Sequence, residues 1–130
     1  MRDRPITALV IDDDWDTVDL FAEYLELKGI DVLAKGYDGK QAVELYEKYS
    51  PDVIFVDIMM PHYDGFYALE NIRKIDPDAK IIMVTADLTS DTAKQLDDLH
   101  VNTVVYKPYE FEEIMTTVYK LIEEDHKVIP

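Results

Sequence analysis

The stretch Pro51-Asp52-Val53-Ile54-Phe55-Val56-Asp57-Ile58-Met59-Met60-Pro61 reads as a buried strand that ends on a carboxylate. A charge at the end of such a strand is unfavourable unless something uses or compensates it. Three further polar groups follow apolar runs in the same way: Asp12-Asp13 after Ile6 to Ile11, Thr85 after Ile81 to Val84, and Lys107 after Val101 to Tyr106. Each falls at the carboxyl end of a predicted strand.

Five apolar runs, at about 6–11, 30–34, 52–56, 80–84 and 101–106, alternate with helical patterns. Between the first two, Asp14 to Lys28 carries Val18, Phe21, Ala22 and Leu25 on one helical face, and Gly29 stops it. The second helix spans about Asp38 to Tyr49, with Ala42, Leu45, Tyr46 and Tyr49 in the same spacing and Ser50-Pro51 breaking it. Asp64 reads as the N-cap of a third, with Ala68, Leu69 and Ile72 before Pro77. A short polar fourth helix runs from Ser90 to Leu99, and a fifth from Glu110 to Glu124 turns Ile114, Val118, Leu121 and Ile122 inward.

Strict βα alternation in a chain of this length predicts an α/β fold, a doubly wound parallel sheet of five strands with helices on both faces. Right-handed crossovers leave few topologies. In the flavodoxin-like (βα)5 order 2-1-3-4-5, the first and third strands are neighbours, and ligands bind beyond their carboxyl ends. Asp12, Asp13 and Asp57 then share one crevice, with Thr85 and Lys107 ending the next strands over.

The 130 residues suffice for one domain, with a core at about 6–124 and no linker, repeat or output domain expected. Val128-Ile129-Pro130 reads as a tail. There are no cysteines, which excludes a disulfide scaffold and fits a reducing, cytoplasmic setting. No apolar run reaches membrane length. The net charge of −15 argues against nucleic acid and favours basic partners and cations.

Three crowded carboxylates repel one another and call for a cation or raised pKa values. Oxygen ligands beside a phosphate suit a partly hydrated Mg²⁺. The alternative for Asp12 and Asp13 is a helix N-cap facing the macrodipole. Asp57 is the nucleophile candidate, because a carboxylate can attack phosphorus to give an acyl phosphate. Thr85 and Lys107 would stabilise charge on the transferring group.

The run Val10-Ile11-Asp12-Asp13-Asp14, then Val56-Asp57-Ile58-Met59-Met60-Pro61 with Asp64-Gly65, then Val84-Thr85-Ala86, then Lys107-Pro108 resembles the receiver domain of two-component response regulators, over about residues 6–124. The resemblance implies that Asp57 takes a phosphoryl group from a sensor histidine kinase or a phosphotransfer protein, and that the output is contact with a downstream protein. It implies that Asp13, Asp57 and the Met59 carbonyl hold Mg²⁺ directly, with Asp12 acting through water. Thr85 and Lys107 would bind the phosphoryl oxygens, and Met59 and Asp87, two residues beyond Asp57 and Thr85, would flank the attacking water, with Asp87 either orienting it or repelling the phosphoryl dianion. One departure stands out: receivers usually carry Tyr or Phe three residues before the lysine, and here that residue is Val104. Tyr106, next to Lys107, is expected on the opposite face from that ring.

Rival patterns exist. Asp14-Trp15-Asp16-Thr17-Val18 matches the Asp-x-Asp-x-Thr/Val pattern of haloacid dehalogenase-type phosphatases, but leaves Asp57 without a role. Asp12, Asp14, Asp16 and Glu23 match four calcium-loop positions, with Thr17 where glycine is needed. A third rival is a non-phosphorylated interaction module on the same fold. Trp15 is expected to be a half-buried edge residue, and His62 a solvated loop residue. His100 and His126 show no ligand spacing.

Overall fold

Among the described residues, five strands alternate with five helices: β1 (Thr7–Ile11), α1 (Trp15–Leu27), β2 (Asp31–Gly36), α2 (Gly39–Tyr49), β3 (Val53–Asp57), α3 (Gly65–Ile75), β4 (Ile81–Thr85), α4 (Ser90–Asp98), β5 (Thr103–Tyr106) and α5 (Phe111–His126). This computed structural model describes residues 4–87, 89–99, 101 and 103–126. His100, the side chain of His126 and the tail Val128-Ile129-Pro130 lie outside the described residues. The sheet is parallel throughout and ordered β2-β1-β3-β4-β5, as the alternation predicts.

Two apolar layers cover the sheet. On one side Val18, Phe21, Ala22 and Leu25 of α1 and Ile114, Val118, Leu121 and Ile122 of α5 pack on Val53, Phe55, Ile82 and Val84. On the other, Ala42 and Tyr46 of α2, Ala68, Leu69 and Ile72 of α3 and Leu96 of α4 pack on Ile54, Val56, Ile81 and Met83. The interior strands β3 and β4 are therefore buried at every position, which is why their sequences are unbroken apolar runs and not alternating ones. The strand β2 runs two residues beyond its expected end because Lys35 and Gly36 pair with Val10 and Ile11.

The helix starts are set by acids. Asp14, Asp38 and Asp64 each accept a backbone N–H of the first helical turn and so fix where α1, α2 and α3 leave the crevice end of the sheet. At the far end of α1, Gly29 N–H donates to Glu26 O and Ile30 N–H to Leu25 O, both at 3.0 Å, the paired bonds of a Schellman stop.

Gly39 holds the first turn of α2 against the loop between β3 and α3. Its N–H donates to Tyr63 O at 2.7 Å, and a Cβ placed there would lie 2.3 Å from Asp64 O. The opposing atom is backbone, so it cannot rotate away. Gly39→Ala should destabilise the fold by about 1–3 kcal/mol through overpacking. In urea the midpoint should fall with the slope unchanged, and a midpoint equal to that of the native protein would show that the loop yields freely.

Candidate functional site

The crevice opens where the neighbouring strands β1 and β3 end. Asp12 N–H donates to Gly36 O at 3.2 Å, and Asp12 Oδ1 accepts Asp14 N–H at 3.0 Å, which turns the chain into α1. The cap of α1 is Asp14, with Asp16 N–H at 3.1 Å and the Thr17 hydroxyl at 2.9 Å donating to it. The capping alternative for Asp12 and Asp13 is thus taken by their neighbour. At the end of β3, Gly65 lets α3 start against the strand: its N–H donates to Ile58 O at 2.9 Å, and a Cβ there would lie 2.6 Å from Asp57 O.

One oxygen from each of Asp12, Asp13 and Asp57 lies within 4.8 Å of the others. Asp12 and Asp57 are each only 6% exposed, whereas Asp13 faces solvent. Lys107 reaches in from the end of β5, its Nζ 3.5 Å from Asp12 Oδ2 and 3.6 Å from Asp57 Oδ1. Its backbone N–H donates to Thr85 O at 2.8 Å, which ties the lysine to the end of β4. The Lys107–Pro108 peptide is cis.

One ammonium does not balance three carboxylates. Burial first, and then the charge of Asp12, pushes the Asp57 carboxyl up to about 6, against the Lys107 charge and the Met59 N–H that favour its ionised form. Asp12 is raised as well, chiefly by burial. Tyr109 lines the small cavity beneath the two acids with Phe21 and Phe55, and burial together with Asp12 and Asp57 lifts its hydroxyl to about 12. Nothing in its sequence context marked Tyr109. Oxygen-only donors with an excess of negative charge fit a hard divalent cation such as Mg²⁺.

The rival patterns dissolve in three dimensions. Asp14 is engaged at the helix cap, and Asp16 and Glu23 lie exposed on α1, so neither the phosphatase pattern nor the calcium-loop pattern converges. Trp15 is not half-buried: it is 63% exposed and stacks flat on Tyr37, with ring centroids 4.1 Å apart. His62 is exposed, as expected.

The Asp87 carboxylate is engaged by the start of α4, whose first N–H groups lack intrahelical acceptors. It accepts Thr89 N–H at 2.8 Å and the Thr92 hydroxyl at 2.7 Å, and these bonds, Thr92 first, hold it below the usual carboxylate range. Neither Thr89 nor Thr92 stood out in the sequence. Tyr106 is not opposite Val104. Val105 packs with α1 and α5 and Val104 with the other layer, so Tyr106, one full strand period after Val104, shares its face and stands 42% exposed.

Thr85 is fully buried at the end of β4, next to β3, and its Oγ1 accepts Asp87 N–H at 2.9 Å. The Met59 side chain is 61% exposed. No helix among the described residues is long and apolar enough to cross a membrane.

Comparison with known proteins agrees with this geometry. The sequence profile of the response regulator receiver domain matches residues 8–119. Among solved structures, the chain is similar to one from a CheX-CheY-BeF3-Mg²⁺ complex of Borrelia burgdorferi, with 26% identity, TM-score 0.85, and 92% of this chain and 90% of that one covered. It is similar to the receiver domain of Francisella response regulator 1452, with 28% identity, TM-score 0.83, and 92% and 98% covered. The response regulator domain of Thermotoga maritima CheB gives 26% identity, TM-score 0.79, and 98% and 100% covered. No curated protein matches the chain by sequence.

Proposed function

Because this chain belongs to the response regulator receiver family of two-component signalling, we propose that Asp57 accepts a phosphoryl group from a phosphohistidine of a sensor kinase or phosphotransfer protein. The observation that carries the assignment is the meeting of Asp57 with Asp12, Asp13 and Lys107 at the mouth of one crevice. An Asp57 carboxylate oxygen attacks phosphorus, the P–N bond to the donor imidazole breaks, and its electron pair stays on the ring nitrogen, which takes a proton from water. The product is an acyl phosphate.

The Lys107 ammonium, already within ion-pair reach of Asp57, neutralises charge on the phosphoryl oxygens, and the Thr85 hydroxyl donates to another. Asp13, Asp57 and the Met59 carbonyl would hold Mg²⁺, with Asp12 acting through water. When bound, that ion supplies positive charge to the transferring oxygens. The Borrelia relative, bound to beryllofluoride and Mg²⁺, supports this reading. The output is contact with a downstream protein in the cytoplasm, and the net charge of −15 favours partners with basic surfaces over nucleic acid.

Incubation with acetyl phosphate and Mg²⁺ tests the reading. The intact mass should rise by one phosphoryl group, and hydroxylamine should remove it. A protein that stays unmodified under excess donor, or whose modification resists hydroxylamine, would rule out the acyl phosphate.

A further inference from the structure

We propose that Tyr109 is a positioning residue for the crevice: its hydroxyl, through one buried water, holds the Asp12 carboxylate from beneath and so sets the affinity of the site for a divalent cation. The proposal rests on the reading of Asp12, Asp13 and Asp57 as a metal site given above. Its basis is the balance of donors and acceptors around one small cavity. The lining of that cavity is apolar apart from Asp12, Thr17, Asp57 and Tyr109. The two carboxylates, when ionised, can only accept. The Thr17 hydroxyl gives its one proton to Asp14 Oδ2 at 2.9 Å. Among the described residues the Tyr109 hydroxyl has no hydrogen-bond partner, so it is the side-chain donor at this cavity with a proton to give.

The ring that carries this hydroxyl is fixed by its neighbours. Tyr109 meets Phe21 edge-on with centroids 6.0 Å apart and Phe111 at 5.6 Å, and Phe21 in turn meets Phe55 of β3 at 4.9 Å. The phenol feels the charge of both acids, Asp12 more than Asp57. The space left between the side chains, about 10 Å³, is close to what a single water needs. A water there meets polar partners in Tyr109, Asp12 and Asp57, enough to hold it against an otherwise apolar wall.

Asp12 accepts Asp14 N–H on Oδ1 at 3.0 Å, and its Oδ2 lies 3.5 Å from Lys107 Nζ. Neither Asp14 nor Lys107 lines the cavity, so the bond relayed from Tyr109 restrains the carboxylate on its inner side. A carboxylate that serves a cation through water must keep its orientation against repulsion from Asp13 and Asp57. Outer partners that fix a ligand in this way commonly contribute about tenfold or more in metal affinity. A phenylalanine at this position would pack against Phe21 and Phe111 equally well, but would leave both acids without a donor on that side.

The test is a cycle of Tyr109→Phe and Asp12→Ala, singly and together, with Mg²⁺ alone as the probe. Its Kd is read from the Mg²⁺-dependent rise of the urea midpoint, which reports weak sites as well as tight ones. Tyr109→Phe removes one oxygen and keeps the ring, so a packing role predicts no change in Kd. The positioning role predicts a Kd higher by about tenfold in Tyr109→Phe, and no further effect of that substitution once Asp12 is replaced by alanine. An unchanged Kd in Tyr109→Phe overturns the proposal, and an equal loss in both backgrounds overturns the route through Asp12. A crystal structure of the native protein gives the second readout: one ordered water within hydrogen-bond distance of both Tyr109 Oη and Asp12, missing in Tyr109→Phe. A dry cavity in the native crystal overturns the bridge. Native protein that binds no Mg²⁺ overturns the metal site itself, and the role of Tyr109 with it.

Discussion

Asp57→Asn should abolish phosphoryl loading: with acetyl phosphate and Mg²⁺ the variant is expected to show no added phosphoryl group by intact mass, at donor levels that should load the native protein. An amide of the same shape has no anionic oxygen to attack phosphorus, so the loss is complete and not graded. The fold should survive, because Asp57 is destabilised by its burial and by Asp12, and a neutral group removes both penalties. Lys107→Ala should act differently. It leaves the nucleophile and removes one stabilising cation 3.6 Å away, so loading should continue at a rate lower by about 10²-fold. The pair of variants separates the nucleophile from the groups that assist it. Equal modification of Asp57→Asn and native protein would place the phosphoryl group on another residue.

Most of the site was legible because its members stand where the sequence changes character. Asp12, Asp57, Thr85 and Lys107 each follow an apolar run, and a parallel sheet of the deduced order gathers strand ends into one crevice. The starts of α1, α2 and α3 were legible in Asp14, Asp38 and Asp64 for a similar reason: capping is local, and a short acidic side chain before a helical pattern has few other roles. What stayed hidden depends on approaches between segments distant in sequence. Gly39 is small because the loop carrying Tyr63 and Asp64 presses on it from another crossover. Trp15 looks like a packing residue until Tyr37, from the end of the neighbouring strand, supplies its stacking partner at the surface. Asp87 could face the crevice or α4 from its position in the chain, and only the unpaired donors of that helix decide between them. Tyr106 needed no tertiary information, since strand periodicity alone places it on the side of Val104.

The same crowding that identifies the site predicts its largest effect on stability. Mg²⁺ that binds only the assembled site should stabilise the fold by about 2.7 kcal/mol at a hundredfold excess over Kd, a rise of about 10 °C in Tm for a chain of this size. The effect should depend on pH in a defined direction. In the metal-free protein the Asp57 carboxyl lies at about 6, above its ordinary 3.8, so between these values the folded state binds more protons than the unfolded one. Stability from this group is therefore fully present below about 4 and is lost as pH rises through 6, on the order of 1–2 kcal/mol after screening by water at the crevice mouth. Asp14 and Asp87, held below their ordinary values by hydrogen bonds, run the opposite way and lose their contribution in acid. Protonation of Asp57 also competes with the cation, so the stabilisation by Mg²⁺ should be largest at pH 7.5 and shrink toward pH 5. Asp57→Asn should gain stability at neutral pH without metal, flatten the profile between 4 and 6, and blunt the response to Mg²⁺. Urea denaturation at the two pH values, with and without the ion, reads all of these, and coincident curves at pH 7.5 would mean that the three carboxylates share no metal.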